Sequence, residues 1–187
     1  MKAVSFELTG KDSPPEFKPT VFSDESAGSA FLELHQLVMQ SSDDFRTEEL
    51  FYVLFSRLLE KNAHSSMLSQ RLRSFQIKEA CNYLEDHAPE AVTLDDICHR
   101  VAVSKSSLIR SFSRQLGLTP HSYLLSIRIK RAQVLLKQGI APFLVALNSG
   151  FTDQAHFSNV FSRLTGLTPG NYQNIFLKKA AYPHDHE

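Results

Sequence analysis

Apolar residues recur at three- and four-residue intervals through most of this chain, which is the spacing of helices with one buried side. Phe31, Leu34, Leu37 and Val38 predict a helix over 30–40, and the polar stretch Ser41–Phe45 then breaks the pattern. A second helix is expected from Thr47, which can cap it. Glu48 and Glu49 suit its positive start, and Leu50, Phe51, Leu54, Phe55, Leu58 and Leu59 form the buried side. The two would make a helical hairpin with more apolar surface than a lone hairpin can hide. Ahead of them, Val4, Phe6 and Leu8 alternate with polar residues before Pro14, Pro15 and Pro19, so residues 1–24 read as a short β remnant.

Beyond Phe75 the pattern is helical almost throughout. Ile77, Ala80, Cys81 and Leu84 lie on one face of a helix ending near His87–Pro89. Thr93-Leu-Asp-Asp96 has capping-box spacing before the apolar set Leu94, Ile97, Cys98 and Val101. After a tight turn at Ala102-Val103, Ser104 caps a helix whose buried stripe is Leu108, Phe112 and Leu116. The expected fold is mainly α.

Charge changes the picture through its distribution. The 187 residues carry 20 basic and 20 acidic side chains, a net of zero. Residues 1–77 hold 8 basic and 11 acidic (−3), whereas residues 78–187 hold 12 and 9 (+3). Between Ile97 and Thr152 there is no acidic residue, while Arg100, Lys105, Arg110, Arg114, Arg128, Lys130, Arg131 and Lys137 all fall there. That is either a polyanion footprint or a solvated helix face. The length excludes a large multidomain enzyme, and no apolar run is long enough to span a bilayer. Cys81 and Cys98 lack metal or redox spacing and read as reduced thiols, so a cytoplasmic, nucleoid-associated protein is expected.

An internal repeat decides between the two charge readings. Displaced by 49 residues, Phe112-Ser-Arg114 meets Phe161-Ser-Arg163, Gly117-Leu-Thr-Pro120 meets Gly166-Leu-Thr-Pro169, and Tyr123 meets Tyr172, with eight identities in twelve positions. Upstream the displacement is 48, pairing Cys98 with Ala146, Ala102 with Gly150 and Val103 with Phe151, so the second copy holds one more residue in its turn. Each copy reads as helix, tight turn, helix, closed by a glycine stop and a Thr-Pro start. The small residues Ala102 and Gly150 let the two helices cross closely. With Leu108 and Phe112 turned inward, Ser106, Ile109, Arg110 and Ser113 fall on the outer side. In the second copy Phe157 and Phe161 turn inward, and Ala155, Ser158, Asn159 and Ser162 face out.

From about Phe75 to Phe176 these motifs resemble the DNA-binding domain of the AraC/XylS family of bacterial transcription regulators. The run Gly150-Phe-Thr-Asp-Gln-Ala-His-Phe-Ser-Asn-Val-Phe-Ser-Arg-Leu-Thr-Gly-Leu-Thr-Pro169 carries most of the likeness, with Arg128, Ala132, Leu135 and Leu136 in the link. The resemblance implies two helix-turn-helix subdomains, about 93–116 and 142–165, joined by a central helix over 120–137. Their recognition helices would enter successive major grooves of double-stranded DNA. Eighteen residues at ~1.5 Å rise make a rod of roughly 27 Å, comparable with the ~34 Å groove repeat once helix widths are added.

By position, Ser106, Ile109 and Arg110 are candidate base readers, with Lys105 and Arg114 on phosphates. Arg110 can fork to guanine and Ile109 can meet a thymine methyl. Gln154, His156 and Asn159 are their counterparts in the second motif, and Arg163 repeats the role of Arg114. The alternatives are solvated charge for Lys105, Arg110 and Arg114, and packing on Phe157 for His156. Asn159 stands where the family often has Arg, so the first motif is expected to dominate affinity. Gln173 replaces a usual Arg and weakens the end of the second motif. Cys98 replaces a customary alanine as a small core residue, and Arg128 reads as a structural hydrogen-bond donor.

Residues 25–74 would form the hairpin and linker, with homodimerisation through 26–60, and residues 177–187 a flexible tail. The family's sensor barrel usually needs well over a hundred residues, so a shortened regulator without a small-molecule effector is expected; RNA polymerase is a possible partner. No catalytic spacing, metal site or cofactor motif is found, and His184-Asp-His186 reads as chain end. The competing function is an interaction protein that pairs with a full-length relative and antagonises it.

Overall fold

A computed structural model describes residues 25–40, 44–62, 72 and 74–181. The β remnant expected in 1–24, most of the linker and the His184-Asp-His186 end lie outside them. Among the described residues there are nine helices and no strand: α1 (Glu25–Gln40), α2 (Asp44–Asn62), α3 (Ser74–Asp86), α4 (Leu94–Val101), α5 (Lys105–Leu116), α6 (Pro120–Lys137), α7 (Pro142–Asn148), α8 (Gln154–Thr165) and α9 (Pro169–Ala181). The fold is mainly α, and none of these helices is long and apolar enough to cross a membrane. The chain divides into two compact units: Met1–Tyr83 with Val92–His121, and Leu84–Ala91 with Ser122–Glu187.

In the first unit α1 and α2 form the hairpin, and α2 also lies against α4 and α5. Its start corrects the expected cap. The helix begins at Asp44, three residues before Thr47, because an aspartate in the first turn meets the positive helix end and Phe45 is buried. Its buried positions follow the apolar pattern only in part: Leu54 and Leu59 are buried as expected and Phe45, Glu49, Tyr52 and Ser56 join them, while Leu50, Phe51, Phe55 and Leu58 are only half-buried. With α1, α4 and α5 all packed on it, α2 leaves only Asp44 and Arg57 exposed among its described side chains. By contrast, α1 stays open, with Phe31 61% and Met39 71% exposed.

The helix-turn-helix of this unit follows the expected chemistry closely. The Thr93 hydroxyl accepts from the Asp96 N–H at 3.2 Å and the Asp96 carboxylate accepts from the Thr93 N–H at 2.9 Å, closing the capping box. Leu94, Ile97, Cys98 and Val101 are all buried. Ser104 caps α5 by accepting from the Ser107 N–H at 3.3 Å. Leu108 and Phe112 are wholly buried, but Leu116, expected to complete their stripe, is 40% exposed because α5 ends there and Gly117 turns the chain away.

The second unit is built around Leu125, Ile129, Ala132, Leu136, Val145, Ala146, Phe151, Phe157, Val160 and Phe161. The aromatic rings of Phe151, Phe157, Phe161, Tyr172 and Phe176 follow one another at centroid distances of 4.8–5.5 Å, within the range of favourable edge and tilted contacts. Arg128 is spent on structure: its Nε and Nη2 donate to the carbonyls of Ala88 and Glu90, both at 2.8 Å, and its guanidinium lies 5.9 Å from the Phe151 ring centroid. Gln173, where the family usually has Arg, is itself hydrogen-bonded at the end of the motif. Its Nε2 donates to the Leu136 and Ile140 carbonyls at 3.3 and 2.7 Å, tying α9 to the end of α6 and the turn that follows it. Helix α9 also runs on to Ala181, through residues expected to belong to a tail starting at 177.

Candidate nucleic-acid interface

The two motifs share their backbone wiring. At the first turn the Val103 N–H donates to the Cys98 carbonyl at 3.1 Å; at the second the Phe151 N–H donates to the Ala146 carbonyl at 3.0 Å. Both turns pass through positive φ, +53° at Ala102 and +88° at Gly150. The second recognition helix is capped like the first, with Asp153 accepting from the His156 N–H at 2.7 Å. Both helices then stop at a glycine whose N–H donates to an equivalent serine carbonyl, Ser113 and Ser162. The inserted residue, Thr152, sits between turn and cap and leaves these bonds intact.

The outer sides of the recognition helices have different surroundings. On α8, Gln154, Ala155, Asn159 and Arg163 are exposed, and Ser158 and Ser162 half-exposed. His156 is half-buried and packs edge-on to Phe151, centroids 5.5 Å apart. On α5, Arg114 and Ser113 are exposed and Arg110 half-exposed, but Ser106 and Ile109 are not on an open surface: they are 1% and 4% exposed. Helix α2 packs against α5, and the apolar spacing of α5 alone carries no sign of that contact.

Lys105 stands at the same contact. Its Nζ donates to Glu48 of α2 at 2.5 Å and to Asp95 of α4 at 2.9 Å. Burial would push the lysine's pKa down, yet the hydrogen bonds and negative charge of Glu48 and Asp95 outweigh it and hold the ammonium above its ordinary value. Nearby, the Glu49 carboxylate accepts the His121 backbone N–H at 2.8 Å, and the Phe45 ring lies 5.4 Å from the His121 ring. The basic stretch is thus partly compensated from outside itself, since Arg100 also pairs with Glu79 at 2.5 Å. Arg110, Arg114, Lys130 and Arg131 keep exposed or half-exposed positions. Among the described residues no group of three or more His, Cys, Asp or Glu could hold a metal ion, and both cysteines are free thiols.

Residues 97–175 match a family model described as a helix-turn-helix domain. A crystal structure of a transcriptional regulator with an AraC-type DNA-binding domain from Chromobacterium violaceum is 31% identical, with a TM-score of 0.52 over 58% of this chain and 95% of that one. The chain belongs to the AraC/XylS family of bacterial transcription regulators. The HTH-type transcriptional regulator YbfI of Bacillus subtilis is 39% identical over 83% of this chain and 56% of its own length. The arabinose operon regulatory protein of Escherichia coli is 30% identical over 64% and 45%. The DNA-binding domain of AdpA, solved with a target DNA, shares the AraC-type fold at a TM-score of 0.53 and 24% identity, over 58% of this chain and 97% of that one. Fold and relatives are those of DNA-binding regulators and not of an enzyme. The chain spans about half the length of the curated AraC-type relatives it matches, from 44 to 60%.

Proposed function

We propose that this chain is a sequence-specific DNA-binding transcription regulator that reads two successive major grooves with α5 and α8. The observation that carries the reading is the duplicated turn, in which two different sequences make the same cap, the same positive-φ step and the same glycine stop. Such wiring sets a recognition helix at a fixed angle, which groove reading requires. Lys105, Arg114 and Arg163 would neutralise phosphates, Arg110 would fork to guanine, and Gln154 and Asn159 suit adenine. Ser106, Ile109 and His156 complete the assignment, the first two only once α5 is uncovered. The partner is double-stranded DNA; RNA polymerase, a second copy through residues 26–60, and a cytoplasmic, nucleoid-associated location belong to the same reading, which has no place for a small-molecule effector.

A second reading is favoured by α1, which leaves Phe31, Leu32, Val38 and Met39 more than half exposed on one helix. There the chain pairs with a full-length relative and antagonises it. In vitro selection from a random duplex pool, followed by footprinting across a salt series, separates the two. Specific retention by the purified chain alone, weakening steeply with salt, is the expected result. Retention only as a mixed dimer would replace the first reading with the second.

A further inference from the structure

Four consecutive residues of α5, Ser106, Ser107, Leu108 and Ile109, are buried. Because a helical turn takes 3.6 residues, the start of this helix has no open side. The core of its own motif accounts for Leu108 and Phe112; Ser106, whose hydroxyl lies 3.3 Å from that of Ser104, and Ile109 are buried as well, whereas their counterparts Ala155 and Ser158 are exposed and half-exposed. The helix packed against α5 from outside the motif is α2; further along α5, Leu72 donates its N–H to the Ser111 hydroxyl at 3.4 Å and accepts from Gln115 Nε2 at 3.2 Å. It is seated by Glu48 on Lys105, by Glu49 on the His121 N–H and by Phe45 on the His121 ring.

We propose that α2 is a built-in cover for the first recognition helix, so that α2 and a DNA duplex compete for the same side of α5. The proposal rests on the DNA-binding reading above. Its chemistry is that of a substitute ligand: a carboxylate on Lys105 occupies the cation a phosphate would otherwise engage. While α2 is seated, Glu48 and Glu49 also set negative charge beside the groove-facing surface and oppose an approaching duplex. DNA therefore binds the fraction of molecules with α2 displaced, and apparent affinity falls by that fraction. The second motif has no such cover among the described residues and remains available to start the encounter.

The test uses the whole chain, a duplex selected from a random pool as probe, and the double variant Glu48→Ala/Tyr52→Asp. The pair removes one negative charge and adds one, so tighter binding cannot come from added positive charge. Tyr52 lies on the buried face of α2, 8% exposed, and a carboxylate there unseats the helix. The expected result is affinity raised by about tenfold, with footprint protection extended by a second half-site. Equal affinities and equal footprints for wild type and variant, both binding specifically, would overturn the cover while leaving the DNA-binding reading standing. Failure of both proteins to retain any duplex overturns both. Should the variant not fold, hydrogen exchange on the wild type decides: the duplex is expected to speed exchange in α2 while slowing it in α5. Unchanged α2 exchange on specific binding would sink the proposal.

Discussion

The two recognition helices are cut from one template and meet different surroundings. Residue for residue, buried Ser106 answers to exposed Ala155, buried Ile109 to half-exposed Ser158, and half-exposed Arg110 to exposed Asn159. Their inner sides, by contrast, agree: Leu108 and Phe157, and Phe112 and Phe161, are all fully buried. A helix-turn-helix therefore fixes its inner packing and its turn within some twenty-five residues, whereas the openness of its outer side is decided by whatever else the chain lays upon it. The copy with the more cationic helix is the one that is covered, and the copy lacking an arginine at the Arg110 position stands open.

The strongest way to break the equivalence of the inner sides is to delete the matched rings. Phe112→Ala and Phe161→Ala should each cost about 3–5 kcal/mol, since both rings are fully buried. Urea denaturation of the two variants checks this, and a difference above about 2 kcal/mol would show that the two copies do not share one packing scheme. Next in size is Gly150→Ala. A Cβ there would sit 2.5 Å from the Ala88 carbonyl oxygen and 3.0 Å from the Pro89 carbonyl carbon, both backbone, at φ +88°. Left-handed strain of ~1–2 kcal/mol and overpacking of ~1–3 kcal/mol then add to a loss of about 2–5 kcal/mol. A thermal melt unchanged from wild type would contradict it.

Binding sharpens the contrast between the outer sides. Arg110→Ala should cost about 1–3 kcal/mol of affinity for a selected duplex and relax specificity at one base pair. Asn159→Ala should cost less, because an amide replaces a charge-assisted fork. Gel-shift titrations rank the two, and a larger loss at Asn159 would make the open motif the dominant reader.

Much of this was legible in the residues because it is local. Caps at Thr93 and Ser104, stops at Gly117 and Gly166, and the 48/49-residue repeat depend on neighbours within a few positions. Arg128 could be read as structural because an arginine amid apolar helix positions needs carbonyl partners, and it finds Ala88 and Glu90. What was not legible depends on contacts distant in sequence. Glu48 and Lys105 are 57 residues apart and Glu49 and His121 are 72 apart, and nothing in the spacing of α5 announces either. The buried side of α2 was legible only in part, at Leu54 and Leu59, for the same reason: Glu49 and Ser56 look solvent-facing until a second helix packs on that flank. The signal that was available is the acidic pair Glu48-Glu49 lying against a chain half of opposite charge.

The smallest effect separates the turns themselves. Ala102 holds φ +53°, a left-handed conformation that its Cβ resists, while its N–H donates to the Cys98 carbonyl to end α4. The equivalent step in the second copy is made by Gly150, which has no Cβ to resist. Because Ala102 is exposed, its methyl contributes little packing, and removing it relieves backbone strain. Against that stands the larger entropy glycine brings to the unfolded chain, so the net gain from Ala102→Gly should be modest, about 0.5–1 kcal/mol. Urea denaturation should therefore move the midpoint upward without changing the slope. A loss of stability instead would mean that the methyl of Ala102 helps to hold the α4–α5 crossing, and that the first turn is set by packing where the second is set by backbone freedom.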